Sequence, residues 1–142
     1  MKITIKNKIP VILSPAVCKI TAYFFGVPIG GVTLFPFIIV RDNKILNNAD
    51  YIRHESIHIY QCLETFILGI YIIGGLQYLY ARLVLRKNKL EAYYYMSHEQ
   101  EAHQNDHNLN YLKNRKWFSY YKYLLPKNKK KMSYIDGKRI IF

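Results

Sequence analysis

Residues 48–65 read NADYIRHESIHIYQCLET, and this stretch organises the reading of the whole chain. Asn47, Asn48 and Asp50 are short polar side chains of the kind that take up free N–H groups at a helix start. A helix is therefore predicted from about Tyr51 through Thr65. Residues four apart lie on one helical face, so the H-E-x-x-H sequence from His54 to His58 turns both imidazoles toward one point, with Glu55 beside it. Neutral imidazole suits Zn²⁺, and a catalytic zinc takes three protein ligands and leaves a fourth position for water. The metal lowers the pKa of that water, and a carboxylate placed as Glu55 is accepts its proton as general base. A surface helix with two solvated histidines is the competing reading of so short a motif.

Working outward, residues 31–40 (GVTLFPFIIV) are β-branched and aromatic, with Arg41, Asp42 and Asn43 as a turn behind them. They are predicted as one strand at a sheet edge, because Pro36 cannot donate to a central ladder. Ahead of it lies an irregular or extended apolar front. Behind the metal helix, the apolar run 66–85 is predicted to continue as helix, kinked at Gly74-Gly75 and ending in Arg82, Arg86, Lys87 and Lys89. A further helix is predicted to start with Ser97 as N-cap and to run to about Lys116. Trp117 to Leu125 is an aromatic, helical closing segment that Pro126 ends. The basic run Lys127–Lys131 reads as a solvated stretch, and Asp136-Gly137 as the turn of a small hairpin.

A third metal ligand is expected from residues 98–103 (HEQEAH). Two helices joined by a long apolar connection can pack antiparallel and bring residue 99 back against the 54–58 turn. Glu99 and Glu101 are about 200° apart around a helix axis, so only one of them can face the metal. Glu99 shares its face with His103, which competes for the same role, as does His98. A buried carboxylate in this place lacks a paired charge unless a cation is present. The plainer alternative is a Glu-rich first turn that complements the helix dipole. His103 and Tyr95 are candidates to stand behind the ligands or to donate to an oxyanion. Tyr93 and Tyr94 share the second possibility, and His107 reads as part of a solvated face. Cys62 lies four residues after His58, but one thiol at that spacing reads as core.

The order of strand, H-E-x-x-H helix and later helix carrying E-x-x-A (Glu99 to Ala102) resembles the gluzincin group of zinc metallopeptidases. More narrowly, TLFPFIIVRD (33–42), RHESIHIYQ (53–61) and SHEQEAHQNDHNLNYLKNRKWFSYYKYL (97–124) resemble a family of small metallopeptidase-like proteins from Bacteroidetes-type bacteria. The resemblance covers about residues 31–125. It implies His54, His58 and Glu99 as zinc ligands, Glu55 as general base, and a strand that pairs with an extended substrate. In the wider group the residue after the alanine is often an Asp that orients a ligand histidine; here it is His103.

The chain has 142 residues, of which 51% are apolar, which excludes global disorder and fits one domain over 1–126 with a basic C-terminal tail, 127–142. Its net charge of +12 favours anionic neighbours without identifying one, and a composition rich in Ile, Lys, Asn and Tyr, as from an AT-rich genome, inflates that charge. Two cysteines, Cys18 and Cys62, are too few for a disulfide scaffold or a Cys-rich zinc site. The N-terminus has a rough signal-peptide layout, but Pro10 and Pro15 interrupt its apolar run, so both cytoplasmic and membrane-associated locations stay open. The uncharged stretch Ile20–Val40 is long enough to span a bilayer, yet its prolines and glycines argue against a lipid-exposed helix. The expected fold is a mainly helical α+β domain with a minimal zincin-like core, a short edge strand and long apolar helices. The expected function is zinc-dependent hydrolysis of a peptide or protein substrate. Two other readings compete: a non-enzymatic subunit of a larger assembly, such as a phage particle, and a small protein attached to a membrane surface through residues 9–40 or 63–85. Nucleic-acid contact through the 127–131 run is the weakest of the partner readings.

Overall fold

The computed structural model describes residues 3–135 and 138–141. The chain opens with a hairpin of β1 (Ile3–Lys6) and β2 (Ile9–Leu13), then α1 (Pro15–Phe25). Pro15 occupies the first helical turn, where its missing N–H costs nothing, and Gly26 ends the helix at φ +65°. A second hairpin follows, β3 (Gly31–Leu34) and β4 (Phe37–Val40), and β4 runs parallel to β2. The sheet order is β1-β2-β4-β3. The single edge strand expected over 31–40 is therefore two strands, with Pro36 in the turn after a cis peptide bond. A residue without an N–H is tolerated there as well as on an edge, and the sequence alone does not choose between the two. Of this hairpin's two strands β3 is at the edge and β4 is central; Ile38, Ile39 and Val40 of β4 are all buried, because α1 and the metal-motif helix both pack against that strand.

Asp42 caps a short helix, α2 (Asn43–Leu46), where a turn was expected, its carboxylate accepting the Ile45 N–H at 2.9 Å. Asn48 then caps α3 (Ala49–Glu64), accepting the N–H groups of Asp50 and Tyr51. Val11, Ile38, Val40, Leu46, Ile52 and Ile59 form the core between this helix pair and the sheet.

The apolar run does not continue α3. The chain breaks at Phe66 and Ile67, both left-handed at φ 52° and 68°, and α4 (Leu68–Leu83) leaves at 107° to α3. Helix α4 is unbroken through Gly74 and Gly75, the pair at which a kink was expected. Gly74 has a different role: a Cβ there would run into the His98 ring. Asn88 and Glu91 form a capping box for α5 (Lys89–Tyr95). Helix α6 (Ser97–Asn105) follows directly, with Met96 rather than Ser97 at the capping position. It stops at Asn105 instead of reaching Lys116, and α7 (Tyr111–Asn114) and two 3-10 turns, Ser119–Leu124 and Pro126–Asn128, fill the remainder. Pro126 thus begins a turn as well as ending one.

Strands β5 (Met132–Ile135) and β6 (Lys138–Ile141) pair antiparallel as the predicted hairpin; Asp136-Gly137 itself lies outside the described residues. In the basic run ahead of it Lys127, Lys130 and Lys131 are exposed, as expected, while Lys129 and the backbone are tied to the fold. Lys129 Nζ donates to the Tyr95 carbonyl at 2.5 Å, and the Lys130 N–H donates to Gln100 Oε1 at 2.8 Å. The whole is a mixed α+β fold, mainly helical, around a small four-stranded sheet. Among the described residues no single helix is long and apolar enough to cross a membrane.

Candidate metal centre

Helices α3 and α6 pack against one another and bring His54, His58 and Glu99 together inside the protein. His54 Nε2 and His58 Nε2 stand 3.2 Å apart. Glu99 faces both, Oε2 at 3.5 Å from His54 Nε2 and Oε1 at 3.4 Å from His58 Nε2. Two ligands about 2.0–2.1 Å from one tetrahedral ion lie about 3.3–3.4 Å from each other. The two nitrogens, and each nitrogen with its nearer Glu99 oxygen, are close to that spacing, and one ligand atom from each residue lies within 4.8 Å of the other two.

The surrounding hydrogen bonds assign the ring protons. Gln61 donates its amide N–H groups to Glu101 Oε2 at 2.8 Å and to the His98 carbonyl at 3.2 Å. Its Oε1 must then accept, and it lies 2.7 Å from His58 Nδ1. His58 therefore carries its proton on Nδ1 and a lone pair on Nε2. Asp106 Oδ2, at 3.4 Å, likewise draws the proton of His54 to Nδ1. Both free lone pairs aim at the same point as a buried carboxylate. That arrangement calls for a cation.

The titration behaviour follows from the same geometry. Burial would lower the His54 pKa, but the bonds to Asp106 and Glu99 outweigh it and push it up to about 10. Burial would raise Glu99; the charge of His58 and the contacts from His103 and His54 hold it well below the usual carboxylate range. In the metal-free protein, a proton on His54 takes the place of the cation. His98, adjacent in sequence to Glu99, is pulled down to about 4 by burial, against the charge of Glu99, and stays a neutral ring. It packs beside His58, with ring centroids 5.6 Å apart.

Glu55, next to His54 on α3, lines the same cleft as His58 and Glu99, and its Oε2 accepts from Thr33 Oγ1 at 2.8 Å, which ties it to the edge strand β3. Gln61 leads to a second buried cluster, in which Arg115 donates to Glu101 at 2.6 Å and also to Glu64. Burial would lower the Arg115 pKa, but these two carboxylates raise it further above its ordinary value. Arg53 donates to Asp50 at 2.8 Å and to the Asp106 carbonyl, tying the end of α6 to the start of α3.

Of the remaining expected residues, His103 lies behind the ligands, 3.3 Å from Glu99 Oε2 and with its ring 4.3 Å from that of His54. It also belongs to a second set, His54, His103 and Asp106, close enough to hold an ion and sharing His54 with the first. Tyr95 does not reach the site. Its ring lies under the Lys129 ammonium, 4.3 Å away, and beside Tyr80. Seven-residue α5 turns alternate tyrosines to different sides, and Tyr93 is the one beside Glu99; burial, then the charges of Glu99 and Glu55, push its pKa well above the usual value. His107 is exposed, pairs with Asp50 at 2.9 Å and stands 3.3 Å from Asp106 Oδ1, at the rim of the smaller cleft and away from His58 and Glu99. Cys62 contributes no ligand atom: its Sγ sits 3.7 Å from the Tyr71 hydroxyl, and burial raises its pKa.

Asp106 is the functional residue that sequence reasoning missed. The signal was present, since 99, 103 and 106 recur at i, i+4 and i+7 along one helical face. The carboxylate missing after Ala102 is supplied a turn later.

A cleft of about 310 Å³ opens beside the centre, with Glu55, His58 and Glu99 as its polar floor and Phe25, Leu34, Ile70, Tyr71 and Tyr78 among its walls. A smaller one, about 170 Å³, reaches His54, His103 and Asp106 from the opposite side. Buried His, Glu and Asp groups that can hold a metal ion thus line a largely apolar cleft. Comparison with protein-family models, with curated proteins and with solved structures finds no match for the chain.

Proposed function

We propose that the protein is a zinc-dependent peptidase with a minimal zincin-like core, similar in plan to the gluzincins. The observation that carries this reading is the convergence of two imidazole lone pairs and the Glu99 carboxylate close to tetrahedral spacing, beside a second carboxylate, Glu55, that lies next to the set without belonging to it. Two nitrogens and one oxygen suit zinc better than the all-oxygen shells that calcium and magnesium prefer.

His54, His58 and Glu99 would hold the ion, with Asp106 and Gln61 fixing the two rings. When bound, zinc supplies a water of lowered pKa and a Lewis acid for the carbonyl. Glu55 takes the proton of the attacking water and returns it to the leaving amine, and Thr33 keeps its carboxylate in place. Tyr93, half-buried beside Glu99 in the wall of the cleft and kept protonated, is a hydroxyl that would donate to the oxyanion.

The outer edge of β3 is where an extended substrate would pair. Its Gly31 N–H donates to the Tyr51 hydroxyl at 2.8 Å, and its Thr33 carbonyl accepts from the Tyr71 hydroxyl at 3.0 Å. Substrate pairing along this edge exchanges the Tyr71 bond for one from the peptide.

The test is elemental analysis of protein purified without chelator, followed by assay on a general peptide library. About one zinc per chain and cleavage that Glu55→Gln abolishes without loss of zinc are expected, because the amide fills the same space but cannot accept the proton. Absence of tightly bound metal would sink the proposal. Zinc without any cleavage would favour a non-enzymatic subunit of a larger assembly.

A further inference from the structure

Helix α4 leaves a broad apolar face uncovered. Leu68, Ile72, Leu76, Leu79 and Leu83 are all exposed, and at 100° per residue they fall within an arc of about 80°. Phe66, at the break before the helix, is 93% exposed. Helix α1 adds exposed Ile20, Tyr23 and Phe24, and the Phe25 ring meets Tyr78 of α4 at 6.2 Å, so the two helices are neighbours. Both helices also contribute walls to the cleft beside the metal centre. An apolar surface of this extent on a folded protein marks a contact site.

The charges around it choose the occupant. Residues 3–41 contain no Asp or Glu, and neither do residues 65–90. The same segments carry Lys19 on α1, and Arg82, Arg86, Lys87 and Lys89 at the end of α4 and the start of α5. The Lys89 stem lies against Gly26, which places a cation at the end of α1. A second copy of this chain would set these cations against one another. Anionic headgroups would neutralise them while the acyl boundary accepted the leucines. No single described helix is long and apolar enough to span; α3 and α4 reach that length only together, bent by 107° and with α3 buried around the metal centre, so the face fits a bilayer that it lies upon.

We propose that the α1–α4 face docks on an anionic lipid surface. This goes beyond the peptidase reading and does not depend on it.

The test is flotation of the intact protein with large unilamellar vesicles of phosphatidylcholine, with and without phosphatidylglycerol. Flotation with the anionic vesicles is expected, weakening as salt screens the charges. A double substitution, Ile72→Glu with Leu76→Glu, should reduce it by roughly tenfold or more. Both side chains are mostly exposed, at 60% and 64%, so neither change removes core packing, and circular dichroism checks the fold. Arg86→Glu with Lys87→Glu should weaken flotation and flatten its salt dependence. The proposal is overturned if the wild type floats with neither vesicle. It is equally overturned if the double Glu variant floats unchanged, since charge alone then explains binding. A dimer in sedimentation velocity that Leu76→Glu dissociates would assign the face to a second copy instead.

Discussion

Glu99 and Glu101 lie two positions apart in one helical turn and are both buried, yet they hold different parts of the molecule. Glu99 faces His54 and His58, whereas Glu101 accepts from Arg115, Tyr111 and Gln61. Their chemistry is alike and only their direction differs, as the 200° separation requires. Glu99→Gln is expected to lose tight zinc and, in a denaturant titration in chelator, to unfold earlier than the wild type, because it leaves His54 without its buried carboxylate partner. Glu101→Gln should unfold earlier in the same titration, by about 3 kcal/mol, because it leaves Arg115 short of one buried partner. If instead Glu99→Gln keeps the metal and His103→Ala loses it, the ion sits on the His54, His103 and Asp106 set.

At the scale of the element, α4 distinguishes two glycines that read alike in sequence. Gly74 lies against His98, and an added Cβ would push into that ring, whereas at Gly75 nothing stands within 4 Å. Gly75→Ala should therefore stabilise the protein by about 0.5–1 kcal/mol through helix propensity. Gly74→Ala should destabilise it by about 1–3 kcal/mol through overpacking, and urea unfolding of the two variants checks the pair of signs. The same contrast explains what the sequence could and could not reveal. Helix α3 was legible because its cap, its length and its ligand spacing are all local. Glu99 was legible from residue type and spacing, and Asp106 could have been. The break at Phe66 and Ile67 was not, since neither residue favours positive φ; there the Ile67 N–H donates to the Cys62 carbonyl at 2.6 Å and the Leu68 N–H to the Phe66 carbonyl at 2.7 Å. The double hairpin was missed for a similar reason: a proline among β-branched residues suits an edge strand and a turn equally well, and the pairing of β4 with β2 depends on contacts far away in sequence. Likewise, which of three consecutive tyrosines meets Glu99 depends on how α5 sits against α6.

For the molecule as a whole, the basic segment after Pro126 is part of the structure. Burial pulls the Lys129 ammonium down to about 8, despite the carbonyl and ring of Tyr95 beside it. The unfolded chain keeps that proton up to about pH 10.4, so between these values the unfolded state binds more protons than the folded one. Stability should therefore rise with pH across the window from about 8 to 10.4. Lys129→Met should remove that rise when unfolding free energies are compared at pH 7.5 and 10. Linkage of this kind also acts through the core. The described cysteines, Cys18 and Cys62, are both free, so no covalent bond joins distant parts of the described chain. The His54, His58 and Glu99 set lies across the seam between α3 and α6, with the whole of α4 and α5 looped out between its first and last members. An ion held there is a reversible cross-link, a clasp that stands in for the missing disulfide and can be opened by a chelator instead of a reductant.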